Sequence, residues 1–203
     1  MEYYHVVTEK PMYIGQHILF DDTHHSGVYT RVMDRVEMVN KIYANPQNYN
    51  DDKLEHHTKV ALRELAMEEI RFKNYPDYPS RMSSLYVSRT LEEANKWFDF
   101  FTEIGRPTFQ IVKVSVKGRV FEGNANRCFD GHIDKKYNMK LAEEYWQKDA
   151  NVDISNNPVV EVLVDGDIEV IEIIRDWKVD KIWVLMFASI SIIIEDWGKT
   201  YGK

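Results

Sequence analysis

Over residues 108–121 apolar and polar side chains alternate, with Val112, Val114 and Val116 on one side and Lys113, Ser115 and Lys117 on the other. Successive strand residues point to opposite faces, so the pattern predicts a half-buried β-strand and obliges the chain to build a sheet. Aromatic and β-branched composition predicts a short opening strand over 3–7 and another over 84–88. Two more are expected late in the chain. There 159–164 and 168–174 flank Asp165-Gly166, a dipeptide suited to the two-residue turn of a β-hairpin beginning at Pro158.

Between these strands the apolar period changes to three and four. Val28, Val32, Val36, Val39 and Tyr43 mark one helix face. After Asn45-Pro46 a second helix is expected over 51–72, with Leu54, Ala61, Leu62, Leu65, Ala66 and Ile70 as its apolar side. Pro76 and Pro79 stop it. A third helix, 91–101, follows the 84–88 strand, with Thr90 as N-cap and Glu92 and Glu93 favoured by the dipole of its first turn. Leu141, Ala142, Tyr145 and Trp146 predict a fourth over 134–149. Residues 11–27 and the glycine-rich 122–131 read as loops. The longest apolar run, 182–194, would rise only about 20 Å as a helix against a hydrocarbon core of roughly 30 Å. It reads as buried structure, a central strand by its Ile and Val content.

The resulting order of strands and helices is α+β, and 203 residues suit one domain. A net charge of −7 disfavours a nonspecific hold on nucleic acid or anionic membrane, both of which need clustered Lys and Arg. The single cysteine, Cys128, leaves no internal disulfide, and the opening Met1-Glu2-Tyr3-Tyr4-His5 lacks the basic and apolar regions of a signal peptide. A reducing cytoplasm is the expected location.

Several chemistries lack their residues. There is no G-x-G-x-x-G after a strand, no G-x-x-x-x-G-K and no paired CxxC. His24-His25 and His56-His57 are adjacent pairs whose side chains diverge, so no metal is expected. Cys128 and His132 would meet only on a helix that Gly123 and Gly131 oppose. Glu68-Glu69 and Glu143-Glu144 lie on predicted helices, where carboxylates ordinarily face water. Three residues on separate strands remain: His5 in the first, Tyr86 before the middle helix, and Glu161 in the late pair.

In that order and on those strands, the three residues resemble the NAD-consuming ADP-ribosyltransferases of the histidine-tyrosine-glutamate class, which contains diphtheria toxin and the poly(ADP-ribose) polymerases. The segment Leu85-Tyr86-Val87-Ser88 running into a helix with Ala94 is the most specific part. Trp97, eleven residues after Tyr86, stands where the family has a second aromatic. The segment 159–164 is similar to the strand that presents the family's glutamate. Many members follow the histidine with a small residue and then Ser or Thr, whereas here Val6 and Val7 precede Thr8.

The resemblance implies an ADP-ribosyltransferase-like split β-sandwich over 1–203, with a helical insertion at about 28–75. It implies NAD as substrate, no metal, and transfer of ADP-ribose to a macromolecular acceptor; the acidic balance favours protein over nucleic acid as that acceptor. Glu161, Tyr86 and His5 would be the catalytic set. His5, Val6, Thr8, Arg81, Tyr86, Ser88 and Trp97 would hold NAD, with Arg81 either on the pyrophosphate or in a structural salt bridge. Bacterial and phage members often act as toxins or in host-phage conflict. Two alternatives stay open: an NAD glycohydrolase with water as acceptor, and a non-catalytic member that binds a nucleotide or a protein.

Overall fold

The structure, a computed structural model, describes residues 1–21, 23–147 and 159–177. It is mixed α and β, with two antiparallel sheets and five helices among the described residues. The first sheet has the order β1-β4-β7-β2, formed by β1 (Glu2–Val7), β4 (Gln110–Lys117), β7 (Gly166–Asp176) and β2 (His17–Phe20). The second has the order β3-β6-β5, formed by β3 (Leu85–Val87), β6 (Val160–Val164) and β5 (Val120–Asn124).

The two sheets pack face to face. Tyr3, Val112, Val114, Val116, Ile168 and Val170 of the first share one buried apolar cluster with Leu85, Val87, Val162 and Val164 of the second. The alternation read at 108–121 holds through β4 and fills the layer between the sheets, but the single strand expected there breaks at Gly118-Arg119 and resumes in the other sheet as β5, which runs on into 122–124, expected as loop. On its other side β4 buries Ile111, which packs with Val6, Ala94 and Phe98 under α4 (Leu91–Glu103). Thr90 caps that helix as expected, its hydroxyl accepting from the Glu93 amide at 3.2 Å.

The 28–75 region is helical and lies between β2 and β3. It comprises α1 (Gly27–Met33), α2 (Val36–Ala44) and α3 (His56–Asn74). The single helix expected over 28–43 is broken at Asp34-Arg35, yet Val28, Val32, Val39 and Tyr43 still meet α3 in one cluster. Residues 51–53 form a 3-10 turn before α3 rather than its first turn. Helix α5 (Lys135–Trp146) covers the outer face of the second sheet beside α3, and its N-cap Asp134 accepts from the Lys136 and Tyr137 amides.

Two further readings change. Strand β2 was expected as loop; its four residues hold too little periodicity to announce a strand, and pairing with β7 forms it. Strands β6 and β7 are not a hairpin, because β6 pairs with β3 and β5 while β7 pairs with β4 and β2. At Asp165-Gly166 the chain crosses between sheets, beside the matching crossing of β4 to β5 at Gly118-Arg119. Asp165 locks the two corners, accepting from the Arg119 amide at 2.9 Å and from its guanidinium at 2.8 and 2.6 Å. A Cβ on Gly166, at φ +83°, would lie 2.4 Å from the Lys117 carbonyl oxygen, so only glycine lets the corners touch.

The apolar run at 182–194, Pro158 and Asp149 lie outside the described residues. No helix among the described residues is long and apolar enough to cross a membrane.

Candidate functional site

Away from the Asp165-Arg119 corners, an isolated bridge links the two sheets, where the Tyr4 amide donates to the Ser88 carbonyl at 2.9 Å and the Ser88 amide returns the bond at 2.7 Å. Around this junction opens a cleft of about 950 Å³. All eight residues singled out from the sequence line it: His5, Val6 and Thr8 from β1 and its end, Arg81 from the loop before β3, Tyr86 and Ser88, Trp97 from α4, and Glu161 from β6.

Strand alternation explains the placement. Leu85 and Val87 enter the core between the sheets, so Tyr86 takes the opposite face. On β6, Val162 and Val164 do the same, which puts Glu161 on Tyr86's face. Gly123 pairs directly with Glu161, and with no side chain there the Tyr145 hydroxyl of α5 comes within 3.5 Å of where its Cβ would be.

Glu161 is 8% exposed. Its Oε1 accepts from the Tyr145 hydroxyl at 2.5 Å and from the Arg81 guanidinium. Both bonds fall on one oxygen, so Oε2 keeps its acceptor capacity toward the cleft. Arg81, 5% exposed, also donates from Nε to Glu64 Oε2 at 2.9 Å and from Nη1 to Tyr145 at 2.7 Å. Of the two roles expected for Arg81, the salt bridge is therefore the one formed, since its donors are spent inside the protein. Burial would lower the Arg81 pKa, but the Glu161 and Glu64 carboxylates more than reverse this and hold it well above the ordinary value.

Glu64, on α3 and 2% exposed, is a residue sequence reasoning missed. Burial alone would raise its carboxyl pKa; the Arg81 and Arg63 charges outweigh this and lower it. Nothing in its helical position separates it from the solvated glutamates around it. Glu68 was also expected in water, yet it clamps Arg71 at 2.6 Å and the Ser80 hydroxyl at 2.7 Å, tying the Arg81 loop to α3. Glu143 accepts from the Tyr75 hydroxyl at 2.7 Å.

Tyr86 packs against the α3–α5 cluster with the Arg81 guanidinium 5.4 Å above its ring, and burial raises its phenol pKa, so it stays neutral. Trp97 lies against Phe101 at 5.6 Å and 29° on the other wall. Cys128 is half-buried, and burial pushes its thiol up, the wrong direction for a nucleophile. His132 packs on Tyr137 instead of meeting it. Among the described residues no three His, Cys, Asp or Glu converge to hold a metal. The buried side-chain polar atom without a partner among them is Ser84 Oγ, in the cleft wall.

His5 Nδ1 lies 2.8 Å from the Tyr86 carbonyl oxygen. A carbonyl only accepts, so Nδ1 carries the proton in the neutral ring and Nε2 is an acceptor. Burial pushes the ring's pKa from 6.5 down to about 4, the Arg106 charge adding to it and the bond to Tyr86 opposing. The unfolded chain therefore holds the extra proton between these values. Stability from the neutral ring is fully present above pH 6.5 and lost as pH falls toward 4. It amounts to about 2 kcal/mol once water in the cleft is allowed for. Urea unfolding at neutral and mildly acidic pH is expected to show a steeper acid loss for the wild type than for His5→Gln; equal losses would contradict this account.

The chain belongs to the family described as "Protein of unknown function (DUF2441)", which matches residues 3–176 and so spans the whole cleft constellation. A search of curated proteins finds no match.

Proposed function

We propose that the protein is a mono-ADP-ribosyltransferase that cleaves NAD at its nicotinamide glycosidic bond and passes ADP-ribose to a macromolecular acceptor. The observation that carries this reading is the convergence of eight residues, scattered from position 5 to position 161, on one cleft where Glu161 presents an acceptor oxygen. The two packed sheets, bridged at Tyr4–Ser88 beside the cleft, suit the split β-sandwich that the resemblance implies.

Each residue has a physical task on this reading. Tyr4 turns its amide and carbonyl to Ser88, away from β4. By antiparallel alternation Val6 aims its own N–H and C=O at the same open edge. One donor and one acceptor in line suit the nicotinamide carboxamide, whatever side chain Val6 carries. Tyr86 and Trp97 offer π faces to the cationic ring. The His5 Nε2 accepts from a ribose hydroxyl and fixes register.

Breaking the bond from C1′ to the nicotinamide nitrogen releases neutral nicotinamide with the electron pair and leaves positive charge on the ribose. Glu161 Oε2 stabilises that charge and accepts from the 2′-hydroxyl, while Arg81 and Tyr145 hold the carboxylate still. The acceptor nucleophile then attacks C1′ and loses its proton. The net charge of −7 favours a protein acceptor over nucleic acid, and action as a toxin or in host-phage conflict fits the same chemistry.

Nicotinamide release from NAD by the purified protein, with and without cell lysate, tests the reading. Lysate-dependent release with labelled ADP-ribose on a macromolecule is the expected result. Release in buffer without labelling would make the protein a glycohydrolase, and no release in either setting would leave a binding module.

A further inference from the structure

Arg81 is spent on Glu64, Glu161 and Tyr145, so a dinucleotide's diphosphate must find its cations elsewhere. The molecule is acidic overall, yet its cleft is lined by five Lys and Arg against three Glu. Two of these arginines stand apart from the rest. Arg31 of α1 and Arg106 of the loop after α4 both line the cleft, and neither guanidinium has a hydrogen-bond or salt-bridge partner among the described residues.

Their surroundings place them together near His5. Arg106 rests over the Phe101 ring, its guanidinium carbon 4.9 Å from the centroid, a contact that uses none of its N–H donors. The Arg31 Nη1 and the Glu9 Oε1 lie 3.4 and 3.0 Å from where a Gly27 Cβ would be, so these side chains share one corner of the cleft. Burial lowers the Arg106 pKa and the Arg31 charge lowers it further, against Glu9; Arg106 also acts on His5. Two like charges held in reach of each other, with Glu9 as a single carboxylate against both and no salt bridge formed to it, create a local positive potential that an anion relieves.

We infer that Arg31 and Arg106 form a diphosphate-binding subsite, which together with the His5 Nε2 recognises a ribose 5′-diphosphate: the ring nitrogen takes a sugar hydroxyl and the paired guanidiniums take the two phosphates. Guanidinium forks match phosphate oxygens, and two cations on different elements suit a diphosphate better than a single carboxylate. Glu9, the one carboxylate in that corner, competes for the same donors. The inference deepens the NAD reading and rests on it for the identity of the ligand.

Binding of ADP-ribose, inorganic pyrophosphate and nicotinamide riboside to the full chain, by calorimetry, tests it. Arg31→Gln and Arg106→Gln are each expected to weaken ADP-ribose and pyrophosphate by about tenfold or more, while nicotinamide riboside, which has no diphosphate, binds as to wild type. Arg106→Lys keeps the charge and loses the fork, so it falls between. Glu9→Gln binds pyrophosphate more tightly. Melting temperatures of all variants stay near wild type, because neither guanidinium bonds to the protein.

ADP-ribose affinity within twofold of wild type in both glutamine variants overturns the subsite, as does a wild-type protein that binds neither ADP-ribose nor pyrophosphate. Pyrophosphate binding lost in the variants, with NAD held no more tightly than pyrophosphate and no nicotinamide released, upholds the subsite and sinks the NAD reading instead.

Discussion

Glu161→Gln is expected to bind NAD with nearly wild-type affinity and to release nicotinamide at least about 10²–10³-fold more slowly. The substitution preserves shape. An amide oxygen in place of Oε1, which lies 2.5 Å from the Tyr145 hydroxyl in the wild type, still accepts from that hydroxyl and from Arg81. What changes is the other arm, where Oε2 becomes an NH₂ donor that offers no negative charge to a developing oxocarbenium ion. Ground-state contacts to the carboxamide, the nicotinamide ring and the diphosphate are untouched, so kcat falls and KM does not. Tyr145→Phe supplies the contrast. Its ring stays in the core, the Glu161 carboxylate stays in the cleft, and only the bond that orients it is lost, so release should drop by less. Unchanged nicotinamide release by Glu161→Gln would remove Glu161 from the chemistry.

The strand-borne site residues were legible because strands advertise themselves by local alternation. Tyr86 between Leu85 and Val87, and Glu161 before Val162, had to face away from the core once their neighbours faced into it. The helix N-cap at Thr90 and the apolar stripes of α1 through α3 were local in the same way. Pairing is not local. The Asp165-Gly166 dipeptide has the composition of a hairpin turn and also of a corner between sheets; Arg119, 46 residues away, decides between them by clamping Asp165. Strand β2 owes its existence to β7, and a four-residue segment carries no period by which to read it. Glu64 was invisible for a further reason. A glutamate on an amphipathic helix reads as solvated unless a buried cation waits for it, and that cation, Arg81, comes from a loop whose course follows from the Glu68 and Arg71 clamps.

Arg81→Met is expected to lower folding stability by about 3–5 kcal/mol, because it leaves Glu161 with no cation and Glu64 with Arg63 alone. Glu64 is fixed within the core by its bonds to Arg81 and Arg63, and Glu161 is held below Tyr145. In the variant Glu161 must either remain charged with little water or take up a proton, and Glu64 loses the more buried of its two cations; both changes favour unfolding. Methionine fills much of the volume against Tyr86 and Tyr145 but replaces neither the donors nor the charge. The penalty therefore comes from unpaired charge rather than from a cavity, and that distinction is measurable. Adding Glu64→Gln and Glu161→Gln to Arg81→Met removes the stranded charges and should restore a large part of the loss. A cavity would leave the triple variant as unstable as the single one. Acid reports the same network, since the lowered Glu64 pKa means that its contribution is present above the ordinary carboxylate range and disappears as pH falls through the depressed value. Guanidinium unfolding of the single and triple variants at neutral pH checks the prediction; equal midpoints for the two would show that Arg81 acts by packing and not as the counter-ion that holds Glu161 in the cleft.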